Sequence, residues 1–275
     1  MKANLIKKVN IAGLFHKYDV EWNLNPDVNI LVGINGSGKS TILKSINALL
    51  SQKYADIKDR VIDVEIILTD DNKLICNSSS KSTKNPLDYD YITTFDVPLR
   101  DKTKIKQGET PLDKELQSLI FPTAKDTKAF LNYRLKATAS LDLANQVNNN
   151  IKKLFAEIDK LFSETNKKVE IDPINNSLRF RFEDSTTVEL EQLSAGEKQL
   201  LIILFTVFLM EEKPTVLIMD EPEISLHIGW QQQLIDVIRQ LNPNCQLIIA
   251  THSPSIFGEG WGDKVFFVKD LTQKI

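Results

Sequence analysis

Residues Gly33–Ser40 read Gly-Ile-Asn-Gly-Ser-Gly-Lys-Ser, a spacing suited to holding a chain of phosphates. Glycines at 33, 36 and 38 let the backbone wrap around phosphate oxygens, so that amide N–H groups and a following helix N-terminus meet the negative charge. In such a loop the lysine reaches the β- and γ-phosphates and the serine binds Mg²⁺. The residues predicted to bind nucleotide here are Gly33, Asn35, Gly36, Ser37, Gly38, Lys39, Ser40 and Thr41.

Two adjacent carboxylates, Asp220 and Glu221, follow the apolar run Thr215–Met219. A carboxylate at the end of such a strand completes the ligand shell of a phosphate-bound Mg²⁺ ion, directly or through water. Ser40 and Asp220 are therefore the predicted metal ligands, and Glu221 is predicted to be the general base for an attacking water. Alone, an Asp-Glu pair before a proline would also fit an ordinary surface turn. The phosphate loop favours the catalytic interpretation.

The segment Leu193–Glu197 opens an apolar helix. Ser194 with Glu197 three residues later has the pattern of a capping box, so an ordinary helix start explains the segment. A helix N-terminus that carries Ser194 and Gly196 also suits an incoming γ-phosphate, and these two residues are predicted to bind nucleotide. Both interpretations can hold together, because the cap shapes the element that the phosphate uses.

Two histidines lie close to these segments. His252 follows an apolar strand ending at Ala250 and is predicted to contact the γ-phosphate, so the predicted catalytic residues are Lys39, Glu221 and His252. His227 lies five residues after Pro222. A functional role is favoured for His227 as well, and because a single histidine is more often structural than functional, a structural role stays open for it.

The elements that would position these residues can be read from hydrophobic patterning. Val28–Val32 runs straight into Gly33 and a helix is predicted at Thr41–Leu50, which is the context that a phosphate loop needs. Thr215–Met219 and Gln246–Ala250 are continuous apolar runs, as expected of parallel strands buried on both faces. The further predicted elements are strands at Lys8–Ala12, Asp19–Leu24 and Lys264–Val268, and helices at Glu197–Glu211 and Gly229–Gln240. The predicted fold class is α/β, with a mixed sheet and flanking helices.

The middle of the chain is predicted to be an insertion. Residues 1–50 and 190–275 form the predicted core, and residues 51–189 form a mainly helical lobe with strand hairpins. In this lobe the pattern predicts a hairpin of Val61–Leu68 and Lys73–Cys76, a helix over Thr127–Phe162 interrupted at Asn145–Asn150, and strands at Val169–Ile171, Leu178–Phe182 and Thr187–Leu190. Whether the lobe contacts other molecules or only completes the core stays open.

The net charge, the apolar runs and the cysteine spacing limit the classes of protein to which the chain can belong. The net charge of −3 gives no sign of nucleic-acid binding, although Val97–Ser140 holds nine lysine and arginine residues against five acids. That stretch fits either a solvated surface or a phosphate-binding patch. No apolar run is long enough for a membrane span, and the N-terminus lacks the pattern of a signal peptide. Cys76 and Cys245 match no metal or redox spacing. A cytoplasmic location without membrane contact is therefore predicted.

The order of phosphate loop, Leu-Ser-x-Gly-Glu, Asp-Glu-Pro and Thr-His-Ser resembles the nucleotide-binding domain of ABC-type ATPases, over about residues 1–50 and 190–270. This resemblance implies a P-loop fold of the ABC type that uses ATP and Mg²⁺. It also implies a head-to-tail dimer that sandwiches two ATP molecules. In such a dimer, Lys39 and Ser40 of one subunit would face Ser194 and Gly196 of the other.

The same family places an aromatic side chain upstream of the phosphate loop, where it stacks on adenine. Phe15 or Tyr18 would take this role here, with His16 a poorer candidate, and a plain core role for Phe15 stays open. The family also has a glutamine loop. No segment after Tyr91–Phe95 matches it clearly, and Gln107 and Gln117 are the candidates.

Within the superfamily, Asp220–His227 followed by Trp230-Gln231 resembles the OLD-type and RecF/SMC-like ATPases of bacterial defence and DNA repair. Transporter subunits usually continue Asp-Glu-Pro-Thr-Ser-Ala-Leu-Asp instead. Ile228 departs from this branch, which usually has proline after the histidine. The resemblance implies the ATPase subunit of an anti-phage module of the retron-associated or Septu kind, with a separate nuclease or toxin effector, since no nuclease motif is recognised. The alternatives are a repair ATPase acting on DNA and, less favoured, the motor of a membrane transporter.

Overall fold

Contacts within the chain define two units, each assembled from separate stretches of sequence. The first comprises Met1–Thr94, Glu212–Ile224 and Asn244–Ile275, and the second comprises Phe95–Glu211 and Ser225–Pro243. The computed structural model describes residues 5–77, 81, 85–93, 110–124, 127–258 and 260–275. Gln107 and residues 97–109 and 125–126 of the basic stretch therefore lie outside the described residues.

The helices and strands follow one another along the chain in this order: β1 (Ile6–Leu14), β2 (Tyr18–Asn23), β3 (Val28–Val32), α1 (Lys39–Ser51), β4 (Asp63–Leu68), β5 (Lys73–Cys76), β6 (Tyr89–Ile92), α2 (Pro111–Ile120), α3 (Phe130–Leu135), α4 (Leu141–Leu161), β7 (Lys167–Ile171), β8 (Leu178–Phe182), β9 (Thr187–Glu189), α5 (Ala195–Leu209), β10 (Thr215–Asp220), α6 (Ile228–Leu241), β11 (Cys245–Thr251), β12 (Val265–Phe267), α7 (Val268–Leu271) and β13 (Thr272–Lys274). Within the described part of the chain, no helix has both the length and the apolar character needed to cross a membrane.

A parallel sheet of order β12-β3-β11-β10-β6 forms the centre of the first unit. Every residue of β3, β10 and β11 is buried, which explains why these strands are mostly apolar and do not alternate between apolar and polar residues. The register pairs Thr251 with Val32 and Asp220 with Ala250. Because the three strands point the same way and end at the same level, the residues just beyond them meet at one edge of the sheet.

A second, antiparallel sheet of order β13-β2-β1-β4-β5 belongs to the same unit. Helix α1 contacts both sheets, through β1 and β4 on one side and β10 and β11 on the other. One apolar cluster unites the three layers; it includes Ile42, Leu43, Ile46 and Leu49 of α1, Val9, Trp22 and Ile66 of the antiparallel sheet, and Ile218 and Ile248 of the parallel sheet. Burying each large aliphatic side chain contributes about 1.5–3 kcal/mol, so α1 and the loop before it are firmly held.

Gln246 joins the beginning of the chain to β11. Its side chain is fully buried; Oε1 accepts from the Ile6 N–H at 2.9 Å, and Nε2 donates to the carbonyls of Ile6 and Asn25, each at 2.8 Å. An apolar side chain here would leave three backbone groups without partners. This explains a polar residue in a strand that is otherwise nearly all apolar.

The second unit is mainly helical. Helix α5 is buried on all sides from Gly196 to Leu209, as its uniformly apolar sequence predicts. A small antiparallel sheet of order β7-β8-β9 belongs to the same unit. The Phe162 ring stacks between Phe180, with centroids 5.0 Å apart, and Trp230, at 5.5 Å. The Trp230 Nε1–H donates to the Leu161 carbonyl at 2.7 Å, so its polar group is satisfied inside this cluster.

Most predicted elements are present, but the segment predicted as an interrupted helix over Thr127–Phe162 forms two helices, α3 and α4, and the break lies at Lys136–Ser140 and not at Asn145–Asn150. Helix α4 continues without a break through Asn145–Asn150. Val147, Ile151, Leu154 and Ile158 are buried on one face of α4, and this packing outweighs the weak helix propensity of asparagine. Four of the elements named above were not predicted: β6, α2, α7 and β13. The Thr110-Pro-Leu-Asp113 capping box that begins α2 was a readable signal for it.

The contact units differ from the domain bounds predicted from sequence. Those bounds placed residues 51–189 in one inserted lobe. The division by contacts instead assigns the first part of that segment to the unit that carries the phosphate loop, because β4 pairs with β1 and β6 pairs with β10. From Phe95 onward the segment belongs to the mainly helical unit.

Replacing Gln246 with alanine should lower the free energy of unfolding by about 2–4 kcal/mol, because three buried backbone groups lose their partners. Urea titration followed by circular dichroism measures the change. Gln273→Ala, at an exposed position of β13, is the matched control and should alter stability little. A Gln246→Ala variant as stable as the control would contradict the importance of this contact.

Candidate functional site

The phosphate loop leaves β3 and runs directly into α1. Gly36 and Gly38 have φ angles of 81° and 105°, a left-handed conformation that any side chain would strain. Helix α1 begins at Lys39, with Gly38 at its N-cap position. The first backbone N–H groups of a helix have no acceptor within it, so this end of α1 is suited to an anion.

Lys39 is buried, and its ammonium group faces the end of the parallel sheet. Nζ donates to the Gly33 carbonyl at 3.0 Å and contacts Nε2 of His252. Burial lowers the pKa of Lys39, while the negative charges of Glu221, Asp220 and Glu223 act to raise it. This buried ammonium group could bind a polyanion such as a chain of phosphates, which would also fill the adjoining cavity.

Ser40 and Asp220 form a direct contact. The Ser40 hydroxyl donates to Oδ1 of Asp220 at 2.9 Å, and the carboxylate is only 5 % exposed. Burial raises the pKa of Asp220, against the hydrogen bond from Ser40 and the charges of Lys44 and Lys39. A hydroxyl and a carboxylate are hard oxygen donors of the kind that Mg²⁺ prefers, so these two residues fit that ion.

Glu221 and His252 form the second pair at this edge. Glu221 adopts a left-handed conformation, with φ 51°, and its N–H donates to the Ala250 carbonyl at 2.8 Å. Its Oε1 lies 3.2 Å from Nε2 of His252. That nitrogen faces both a donor, Lys39, and an acceptor, Glu221, so the imidazole tautomer decides which contact is a hydrogen bond. A left-handed non-glycine residue costs on the order of 1–3 kcal/mol and is a recurrent feature of functional sites.

An open cavity of about 680 Å³ adjoins these groups. The residues that line it are Phe15, Asn35, Gly36, Gly38, Lys39, Ser40, Thr41, Arg60, Glu221 and His252. The cavity therefore brings together most of the residues predicted from sequence. Its walls combine an aromatic ring, two cationic side chains and a helix N-terminus, which suits a nucleotide with its phosphates.

Some predicted residues lie elsewhere. Gly33 and Ser37 line a neighbouring cavity of about 530 Å³, although the Gly33 carbonyl still contacts Lys39. Tyr18 lies on β2 and is 38 % exposed, away from the residues that line the nucleotide-sized cavity. His16 lines a third cavity beside Tyr54. Of the aromatic candidates for adenine, Phe15 is the one on the lining of the cavity that holds Lys39.

Two residues of the site were not predicted from sequence. Arg60 follows a short irregular segment that carries no motif, and the fold alone brings it to the cavity. Glu223 accepts hydrogen bonds from the segment after β11, including the His252 N–H at 2.8 Å. The second glutamate of Asp-Glu-Pro-Glu was a signal for this position, but in the sequence it served only to indicate a resemblance to a branch of the family.

Ser194 and Gly196 begin α5 in the second unit. The capping box expected from sequence is present: the Ser194 N–H and hydroxyl both donate to Oε2 of Glu197 at 2.9 Å, and the Glu197 N–H donates to Ser194 Oγ at 3.3 Å. Burial acts to raise the pKa of Glu197, but hydrogen bonds from Lys167 and Ser194 outweigh it, and the pKa is lowered. A side chain at position 196 would lie 2.2 Å from the Ser225 carbonyl, so the backbone approach requires glycine.

Gln117, a candidate for the glutamine loop, lies in α2, where its amide donates to Glu191 at 3.1 Å. His227 is the N-cap residue of α6, and its Nδ1 accepts from the Gly229 N–H at 3.4 Å. This contact gives His227 a structural role that accounts for its presence.

Replacing Asp220 with asparagine should stabilise the ligand-free protein at pH 7. Folding raises the pKa of the Asp220 carboxyl group above its unfolded value, 3.8, so the folded protein loses stability as the pH rises from below 3.8 through the folded pKa, and ionised Asp220 carries this cost. Asparagine carries no charge and keeps an oxygen that can accept from Ser40. The melting temperature should rise by a few degrees, measured by calorimetry without nucleotide. Asp59→Asn, in an exposed turn, is the control, and a melting temperature for Asp220→Asn below that control would contradict the electrostatic account.

Comparison with known proteins identifies the family whose sequences this chain matches. The family model described as "AAA domain, putative AbiEii toxin, Type IV TA system" matches residues 28–258. The Septu protein PtuA of Bacillus thuringiensis is 23% identical, over 91% of this chain and 72% of that protein. The OLD nuclease of Thermus scotoductus is 24% identical over 91% of this chain, and the match spans only 59% of that protein.

Among solved structures, an SMC head bound to the C-winged helix domain of ScpA superimposes with a TM-score of 0.57. The match covers 98% of this chain and 97% of that one, at 14% identity. At this identity the likeness shows the fold alone, and it confirms the predicted α/β P-loop class with a mixed sheet and flanking helices. Since the family model covers most of the chain, the protein belongs to the AAA-domain family described above and is a P-loop ATPase with similarity to the Septu protein PtuA and the OLD nuclease.

Proposed function

We propose that the chain hydrolyses ATP with Mg²⁺ at the cavity bounded by the phosphate loop. The observation that carries this proposal is the meeting of Lys39, Ser40, Asp220, Glu221 and His252 at one edge of the parallel sheet. These side chains supply a cation, a pair of oxygen ligands, a base and an imidazole. Each of these groups has a task in the cleavage of a phosphoanhydride.

The triphosphate would lie against the N-terminus of α1, with Lys39 on the β- and γ-phosphates. Ser40 and Asp220 would hold Mg²⁺, which supplies charge neutralisation for the phosphate oxygens. Phe15 is the better placed of the two aromatic candidates for adenine, because it lines the cavity and Tyr18 does not.

Hydrolysis would begin when Glu221 takes a proton from a water molecule. The water oxygen forms a bond to the γ-phosphorus as the bond to the β–γ bridging oxygen breaks, and ADP leaves with the negative charge. Glu221 has the position for this role because its backbone turns sharply after β10, directly beside Asp220. His252, in contact with both Lys39 and Glu221, would donate to a γ-phosphate oxygen.

The site would be completed by a second copy of the chain. In the head-to-tail dimer that the resemblance implies, Ser194 and Gly196 of one copy face the phosphates held by Lys39 and Ser40 of the other. Supporting this, Ser194 and Gly196 lie in the first residues of a long capped helix, where backbone N–H groups favour an anion.

The biological role we propose is that of the ATPase subunit of an anti-phage defence system, in the cytoplasm, with a separate nuclease or toxin as effector. The support is the similarity to the Septu protein PtuA and to the OLD nuclease over nine tenths of this chain. The mainly helical unit would contact the effector or nucleic acid. A repair ATPase acting directly on DNA is the second candidate, because the same motifs occur in RecF/SMC-like proteins.

Glu221→Gln should bind ATP but hydrolyse it about 10²–10⁴-fold more slowly, because the amide cannot take a proton from water. With Mg-ATP the variant should accumulate as a dimer, seen by light scattering as a mass near twice 31.2 kDa. Lys39→Ala should neither bind ATP nor dimerise, and Glu21→Gln, exposed on β2, should behave as wild type. Hydrolysis by Glu221→Gln at the wild-type rate would show that another residue is the base.

The same variant can test the biological role. Glu221→Gln held closed by Mg-ATP should retain a nuclease or toxin when it is purified from its native cells, whereas Lys39→Ala should retain none. Mass spectrometry identifies what is retained. If DNA alone is held, and binding weakens steeply as salt increases, the repair function is supported in place of the defence function.

A further inference from the structure

Glu223 has no role in the hydrolysis described so far. Within the Asp-Glu-Pro-Glu turn, its side chain nevertheless makes the most hydrogen bonds to the end of β11 and the residues that follow it. Its Oε1 accepts from the Thr251 hydroxyl at 2.6 Å, from the His252 N–H at 2.8 Å and from the Ser253 N–H at 3.2 Å. The Ser253 N–H is shared with the Thr251 hydroxyl oxygen at 2.9 Å. One carboxylate oxygen thus holds three consecutive residues.

Holding the backbone at these three residues fixes the direction of the His252 side chain. The two N–H groups that Glu223 accepts belong to His252 itself and to the next residue, so both peptide planes that flank the His252 Cα are restrained. The imidazole can then reach Lys39 and Glu221 from only a narrow range of positions. Without the carboxylate, the His252 N–H would lose this acceptor, and the segment would have a wider set of conformations.

Glu223 also ties together the two loops that carry reacting groups. It lies two residues after Glu221, in the turn that leaves β10, while its hydrogen bonds go to the residues that leave β11. The Glu221 N–H already donates to the Ala250 carbonyl at 2.8 Å, so the two loops are joined at both ends. The distance between Glu221 and His252 therefore depends on contacts that Glu223 makes.

We propose that Glu223 is a positioning residue for the hydrolysis of ATP: it holds His252 in place against Lys39 and Glu221. The inference rests on the proposed function, in which His252 acts on the γ-phosphate. It adds that the second glutamate of Asp-Glu-Pro-Glu acts through a hydrogen-bond acceptor and not through contact with nucleotide.

Two substitutions distinguish the effect of the hydrogen-bond acceptor of Glu223 from the effect of its negative charge. Glu223→Gln keeps one oxygen that can accept all three hydrogen bonds, and Glu223→Ala removes the acceptor. Glu223→Ala should lower kcat on the order of tenfold to a hundredfold, while KM for ATP changes less than about threefold. Glu223→Gln should keep kcat within about threefold of wild type. Glu21→Ala, an exposed glutamate of β2, is the control.

A double-mutant cycle with His252→Ala distinguishes positioning from a general loss of stability. If Glu223 acts through His252, then Glu223→Ala should lower kcat no further once His252 is already alanine. Additive losses in the double variant, or a Glu223→Gln variant as slow as Glu223→Ala, would overturn the proposal. Thermal melts of each variant confirm that folded protein is compared.

Hydrogen exchange supplies a readout that does not depend on activity. The amide protons of His252 and Ser253 should lose protection in Glu223→Ala and keep it in Glu223→Gln, measured by NMR on the whole chain. Unchanged protection in Glu223→Ala would overturn the inference. A His252→Ala variant with full activity but lost protection in Glu223→Ala would instead remove the role proposed for His252 in hydrolysis, and would leave Glu223 as the residue that orders this loop.

Discussion

The parallel pairing of β11 with β3 on one side and with β10 on the other is the constraint on which the site depends. β3 ends opposite Thr251 and β10 ends opposite Ala250, so the phosphate loop, Glu221 and His252 leave the sheet at the same level. A different register would separate Lys39 from the carboxylates that face it. The buried apolar side chains of all three strands hold this register, and they contribute to the site although none of them touches it.

At the same edge of the parallel sheet, the fold buries ionisable side chains where their charged forms are disfavoured. Burial lowers the pKa of Lys39 and raises the pKa of Asp220, so the ionised form of each is opposed by its environment. The two charges partly compensate one another, and a nucleotide with its cation would complete the compensation. The ligand-free site is thus less stable than a fully apolar one of the same shape, a common cost of a binding function.

How far the sequence predicts this protein depends on how local each interaction is. The phosphate loop, the strands around it and the Ser194–Glu197 capping box are encoded within a few residues, and the structure has the expected elements there. Arg60 gains its position from contacts between distant segments, and no local pattern indicates it, whereas Glu223 belongs to a recognisable motif but its hydrogen bonds to the residues around His252 depend on the fold. The asparagine-rich part of α4 shows the opposite case, in which tertiary packing outweighs a local preference. The roles assigned to the site residues stay predictions.

The contact between Gln246 and the first strand has a consequence for the synthesis of the chain. Residues 6 and 246 lie 240 positions apart, so Gln246 can reach the first strand only after residue 246 has been synthesised. Until then β3 and α1 expose apolar surfaces whose partners, β10 and β11, are incomplete. Pairing between such distant segments is slow to form and leaves the nascent chain open to aggregation. We therefore expect the phosphate-loop unit to complete its fold only after β11 has been synthesised, and to depend on chaperones during that interval.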